Sequence, residues 1–312
     1  MTTDTSPPGR PVPPELTEEE QALRTQRWIH ECDQLIALRK SLEEKFPELS
    51  HSQVGLYVAE LVIGNNLGDD WVQRNIHAAG EGGARRSKTS TYLRRDPVDL
   101  MQRHERYVRV MELARRLFEL GQEHFADLLI DNLRRRDLEG AAFEADVVRM
   151  LVSWRVVINL RDEERFKGDD YDIDVWLTPE TPWAIEAKTR LDSSPYTAKH
   201  LFKTLDRARG QLPPKGIGGI FMKVPTPWIT DPDYTNNHEA EVTAFLNQTS
   251  RVHIIVLVWD VWTPNPSGTG WTWDRAHRIF KSPQIDPRLS GLADFYQRIW
   301  GGPDLFAPNA PF

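Results

Sequence analysis

The chain has 312 residues, 39% apolar and 27% charged, with a net charge of −7. Such a length holds one large or two ordinary globular domains, and the negative balance excludes a protein that coats nucleic acid with its whole surface, though not a local basic patch. One cysteine, Cys32, excludes a disulfide framework and a cysteine zinc cluster, and no apolar run approaches the ~18 residues that span a bilayer.

The N-terminus lacks the charged start and apolar stretch of a signal peptide. The chain therefore reads as a soluble protein of a reducing cytoplasm, with no membrane partner. Residues 1–15 (MTTDTSPPGRPVPPE) have almost nothing to bury and read as a disordered tail. Thr17-Glu18-Glu19-Glu20 then carries a cap and first-turn acids. Trp28, Cys32, Leu35, Leu38 and Leu42 recur at helical spacing up to about Phe46. Ser50 or Ser52 caps a second helix through Val54, Val58, Leu61 and Val62, which ends in the glycine turn 64–68. A short helix from Asp69 to His77 follows. This helix pair has the layout of a helix-turn-helix, although most such pairs are plain packing.

Residues 79–97 differ in character. Arg85, Arg86, Lys88, Arg94 and Arg95 follow a glycine-rich stretch with Tyr92 among them and no acid between them. Such a loop suits phosphate contact, or is simply a solvated surface. Asp96-Pro97 opens a long helix whose stripe is Leu100, Tyr107, Val110, Met111, Ala114, Leu117 and Phe118, and Gly121 ends it. Phe125 to Leu133 is another helix. Its closing run Arg134-Arg135-Arg136 complements a helix C-terminus or faces DNA. Residues 16–136 thus form a helical N-terminal region, and residues 137–312 a second domain.

From Leu138 the pattern changes. Leu138–Trp154 is helical, residues 155–160 form a strand, Thr197–Gln211 a helix and residues 216–224 a strand. His238–Asn247 is a helix. Residues 252–259 are an apolar run suited to the centre of a covered sheet. Residues 263–312, rich in aromatics and prolines, pack on this core without an assigned element.

The stretch GDDYDIDVWLTPETPWAIEAKTR, from Gly168 to Arg190, reads as a hairpin with a proline turn. Side chains two apart on a strand share a face. Asp172 and Asp174 therefore point one way on the first strand, and Glu186 and Lys188 on the second. Carboxylates so gathered repel one another unless a cation sits among them, and hard oxygen ligands suit Mg²⁺ or Mn²⁺. The bland reading is a solvated cross-strand pair. His51, His77, His104, His124 and His200 show no metal spacing, and no glycine-rich phosphate loop precedes a helix.

The order helix, three strands, helix, strand, helix, strand, with an Asp on the second strand and Glu-x-Lys on the third, resembles the PD-(D/E)XK nuclease superfamily. The resemblance covers roughly residues 138–260. It implies an α/β fold, a restriction-endonuclease-like mixed central sheet flanked by helices, beside the all-helical N-terminal domain. Asp172 best matches the motif aspartate, with Asp174 and Asp170 as near-equivalents, and Tyr171 stands where the family has proline. Glu186 and Lys188 match the second half. Glu144 resembles the first-helix glutamate, with Glu139 as rival. Gln211 resembles a polar residue near the phosphate, or is a helix-end amide.

The implied function is metal-dependent hydrolysis of DNA phosphodiesters, a deoxyribonuclease of restriction, defence or repair. Asp172 and Glu186, with the Ala187 carbonyl, would hold Mg²⁺ or Mn²⁺, with Asp174 as a further ligand. Lys188 would orient the attacking water, and Glu144 would join through water or a second ion. Lys199, Lys203, Arg207 and Arg209 would guide DNA. A protein partner through the helical region and a homodimer fit the same picture. The alternative is a catalytically inactive nucleic-acid-binding or scaffolding protein on the same fold.

Overall fold

The computed structural model describes residues 16–77, 92–93, 100–153, 156–162, 169–176, 182–190, 195–266, 271–285 and 287–296. The tail 1–15 and the basic residues Arg85, Arg86, Lys88, Arg94 and Arg95 lie outside the described residues. The fold is mixed α/β, with a helical N-terminal region and a six-stranded mixed sheet. No helix among the described residues is long and apolar enough to cross a membrane. The chain divides into two compact units. One comprises Leu16–Arg149 with Trp259–Ala276, the other Met150–Val258 with the stretch from His277. The division falls at 149/150, inside a helix.

In the helical unit, α1 (Glu18–Lys45) and α2 (His51–Leu67) each begin with a capping box, Thr17 with Glu20 and Ser50 with Gln53. Each box satisfies amides that a helix start leaves unpaired. Gly68, at φ +96°, ends α2 in a conformation that L side chains rarely adopt. The short α3 (Asp69–Val72) and a π-helical turn, Gln73–His77, follow and bury Trp71, Val72 and Ile76. The exposed residues of α3 are Asp69 and Asp70, the wrong sign for a phosphate backbone. Next come α4 (Leu100–Leu120), α5 (Ala126–Arg135) and α6 (Leu138–Ser153).

The buried face of α4 differs from the apolar stripe in its sequence. Leu100 and Met111 are exposed, while Arg106, Arg115 and Arg116 are buried. Acids meet Arg115 and Arg116 inside. Arg116 reaches Asp146 and Glu112, Arg115 reaches Glu112 and Glu119, and Arg149 also reaches Glu119. Arg275 binds Asp146 at 2.9 Å and Asp260 at 3.5 Å. Burial alone would raise the Glu112 carboxyl, but Arg116, Arg115 and Arg275 outweigh it and hold it at about 2. The arginines closing α5 are likewise engaged: Arg134 donates to the Asn66 carbonyl at 2.7 Å, Arg135 pairs with Asp131, and Arg136 pairs with Glu144.

The strands are β1 (Val157–Leu160), β2 (Ile173–Trp176), β3 (Trp183–Thr189), β4 (Ile217–Lys223), β5 (Val252–Pro264) and β6 (Trp271–Lys281), in spatial order 1-2-3-4-5-6. β1, β2 and β3 pair antiparallel, and β3, β4 and β5 pair parallel. Parallel neighbours need a long crossover. It is supplied by α7 (Ala198–Gln211) before β4, and by α8 (Thr226–Ile229) and α9 (Pro232–Asn247) before β5. A last helix, α10 (Pro287–Tyr296), follows β6. β4 and the first part of β5 are buried almost throughout. A Cβ on Gly218 would come within 2.3 Å of the Arg251 carbonyl, so glycine is required there, where the β4–β5 register shifts; one on Gly219 would come within 2.7 Å of Ile185 Cδ1, which would have to move.

α9 starts six residues before His238, because Asp231 caps it and Pro232 occupies its first position. The unassigned C-terminal stretch supplies β6 and α10.

Candidate active site

The site is built at the point where β2 begins. β2 and β3 pair with Ile173 opposite Ile185, which puts Asp172 beside Glu186. The backbone bends at Asp172. Its amide donates to the Ile185 carbonyl on β3 at 3.1 Å, and its carbonyl accepts from the Arg161 amide, just past β1, at 2.9 Å. In a regular strand both groups would leave on one edge. The bend turns the side chain onto β3, where Asp172 Oδ2 accepts the Ala187 amide at 2.8 Å. The carboxylate thus rests against the Glu186–Ala187 peptide. Because an amide and carbonyl of one strand residue leave on the same edge, the Ala187 carbonyl faces the Asp172 side.

Glu186 is fully buried, at 0% exposure, and Lys188, two residues on, forms an ion pair with it. The Lys188 side chain is 27% exposed, so the ammonium lies between the buried acid and solvent. The shared face expected for Glu186 and Lys188 is therefore present.

Asp174 is buried as well, but its carboxylate accepts the Tyr171 hydroxyl. Tyr171 is in turn covered by Arg161, whose guanidinium carbon lies 4.0 Å from the ring centroid, and Arg161 pairs with Asp169 at 3.1 Å. Gln211, at the end of α7, donates through Nε2 to the Asp170 carbonyl at 3.0 Å, and its own carbonyl accepts the Asp170 amide at 3.1 Å. This two-bond clasp fixes the segment leading into Asp172 and makes Gln211 a positioning residue. Glu144, on α6 in the helical unit, pairs with Arg136 at 2.7 Å and accepts from Asn132 at 3.2 Å.

Of the candidate DNA contacts on α7, Lys199, Lys203 and Arg207 are exposed. They recur every fourth residue, one helical turn or about 6 Å apart. Arg209 pairs with Asp206. Sequence reasoning passed over Arg190, which closes the triad's strand. Its Nη1 donates to the His200 carbonyl at 3.0 Å and to Thr204 Oγ1 at 2.7 Å.

Comparison with family models, with curated proteins and with solved structures finds no match. Among the described residues no group of three or more His, Cys, Asp or Glu side chains is placed to hold a metal ion. The oxygen donors at the β2–β3 corner are two carboxylates and a main-chain carbonyl. This set fits Mg²⁺, which commonly binds through one or two carboxylates and keeps several waters, or Mn²⁺. It holds no thiolate or imidazole that would favour a softer ion.

Proposed function

We propose that this protein is a Mg²⁺- or Mn²⁺-dependent nuclease that hydrolyses DNA phosphodiesters, on a restriction-endonuclease-like core. The observation that carries the reading is the seat of Asp172. Its carboxylate is bonded to the Ala187 amide, beside Glu186, which is wholly buried and has an ammonium two residues on. A buried carboxylate is costly unless something uses its charge.

Asp172, Glu186 and the Ala187 carbonyl would hold the divalent ion. When bound, the ion supplies Lewis-acid polarisation of the phosphate and a more acidic water. Lys188 presents its ammonium on the solvent side of Glu186, where it orients the water and stabilises charge growing on the phosphoryl oxygens. The water oxygen bonds to phosphorus and gives up a proton to solvent, the P–O bond to the leaving nucleotide breaks, and the leaving oxygen takes a proton from solvent. Gln211 keeps the Asp170–Asp172 segment in place. The exposed stripe Lys199–Lys203–Arg207 guides the phosphate backbone, and the helical region serves recognition of substrate or of a protein partner.

The test is incubation of the purified chain with supercoiled plasmid and linear duplex in Mg²⁺, in Mn²⁺ and in excess EDTA. Cutting that requires the metal is the expected result. Salt-dependent DNA binding with no metal-dependent cutting would contradict the proposal and leave a nucleic-acid-binding module.

A further inference from the structure

We propose that Arg190, assisted by Arg207, is the phosphate-binding fork of this site and grips the nucleic-acid backbone next to Lys188. The inference rests on the nuclease reading for its substrate, and adds to it a residue that the motif does not include.

Arg190 stands two residues beyond Lys188, where β3 has ended. It is pre-positioned on three sides. Nη1 is spent on the His200 carbonyl and Thr204 Oγ1 of α7. The guanidinium carbon lies 5.2 Å from the centroid of the fully buried Trp228 ring, a cation–π contact that sets the plane of the group. Nε is enclosed. Nη2 remains, and makes no hydrogen bond among the described residues. A guanidinium fixed in this way loses little side-chain entropy when it binds, and the N–H groups of its Nη2 can donate to phosphate oxygens.

The charge that acts on it most, that of Arg207, has its own sign. Arg207 lies three residues past Thr204 on α7, so the two are neighbours on the helix surface. Among the described residues neither Arg190 nor Arg207 meets a carboxylate, and Lys203 is exposed one turn before Arg207. Burial, then the like charge of Arg207, lowers the pKa of Arg190. A bound anion relieves both effects.

α7 also explains why the fork belongs to this site. His200, Thr204, Arg207 and Gln211 follow one face of the helix at spacings of three and four. Gln211 holds the segment entering Asp172, and His200 and Thr204 hold the residue leaving Lys188. One helix therefore spaces the acids and the fork. If Arg190 were only a clasp between β3 and α7, lysine in its place would change stability alone.

The experiment uses the full chain and three variants, Arg190→Lys, Arg190→Gln and Arg207→Gln. Affinity for a fluorescein-labelled DNA duplex is read by anisotropy without divalent metal, over a range of salt, with inorganic phosphate and pyrophosphate as competitors. Cleavage in Mg²⁺ and thermal melting are read in parallel. Arg190→Lys is expected to weaken binding about tenfold, in line with loss of a charge-assisted hydrogen bond from a pre-positioned donor, and to raise KM with little change in kcat. Arg207→Gln, at an exposed position, is expected to melt like the wild type and to lower the slope of log affinity against log salt by about one. If the wild type cuts DNA while Arg190→Lys and Arg207→Gln keep its affinity, KM and salt slope, the fork is overturned and the nuclease reading stands. If binding depends on both arginines but no metal supports cutting, the fork stands and the nuclease reading falls. Binding of inorganic phosphate that depends on Arg190, with none of DNA, would overturn the nucleic-acid assignment. A wild type that neither binds nor cuts would overturn both.

Discussion

Glu186→Gln is expected to lower metal-dependent cleavage by about 10³-fold or more, and to leave the protein at least as stable as the wild type. The first half follows from losing a charged ligand, since electrostatic support of several kcal/mol corresponds to about three decades of rate. The second half comes from burial. Glu186 carries its charge at 0% exposure, and its partner Lys188 is 27% exposed and can return to water. Glutamine keeps the shape and removes the buried charge. Sites built for chemistry commonly sacrifice stability in this way. Urea unfolding without divalent ions, beside a cleavage assay, checks both halves. A loss of about 3–5 kcal/mol in the variant would instead mark Glu186 and Lys188 as a buried structural pair.

Asp146→Ala is expected to cost about 3–5 kcal/mol of stability, because it strands two guanidiniums in the helical unit's interior. Arg116 and Arg275 both bind Asp146, and Arg116 is 2% exposed. Burial would lower the pKa of both arginines, but Asp146 reverses this, with Glu112 acting on Arg116 and Asp260 on Arg275, and both are raised. The same network sets an acid limit. Glu112 is held at about 2 against an ordinary 4.5. A depressed carboxyl adds stability that is complete above about pH 4.5 and lost as the pH falls toward 2. That difference is on the order of 3 kcal/mol. Urea midpoints measured from pH 7 down to 2 should fall through that window in the wild type and show a weaker decline in Glu112→Gln. A midpoint in Asp146→Ala within about 0.5 kcal/mol of the wild type would contradict the account.

The pairing of β2 with β3 was legible because strand alternation sorts side chains by face, and prolines separate the two alternating runs in the sequence. The same logic could not choose between Asp172 and Asp174, which lie two residues apart. Their difference is three-dimensional: a bend at Asp172 turns it to Ala187, while the Tyr171 hydroxyl takes up Asp174. α9 was read late because its first turn, Pro232-Asp233-Tyr234, looks like a loop until Asp231 is recognised as its cap. β6 was missed because Asp274, Arg275 and Arg278 interrupt its apolar residues. The ionic network was invisible for a related reason. Arg116 looks like part of a solvated helix face until Asp146, distant in the chain, binds it together with Arg275, which also binds Asp260. Arg190 carried a faint signal, a cation two residues past the triad lysine, but only α7 gives it a purpose.

The central claim is that Asp172 and Glu186 together hold one divalent ion. Calorimetric titration of Mn²⁺ into the DNA-free protein tests it most directly. One site that is present in the wild type, lost in Asp172→Asn and in Glu186→Gln, and kept in Asp174→Asn is the result this account predicts. Mn²⁺ binding that is unchanged in Asp172→Asn and Glu186→Gln, or no binding by the wild type with or without DNA, would contradict it.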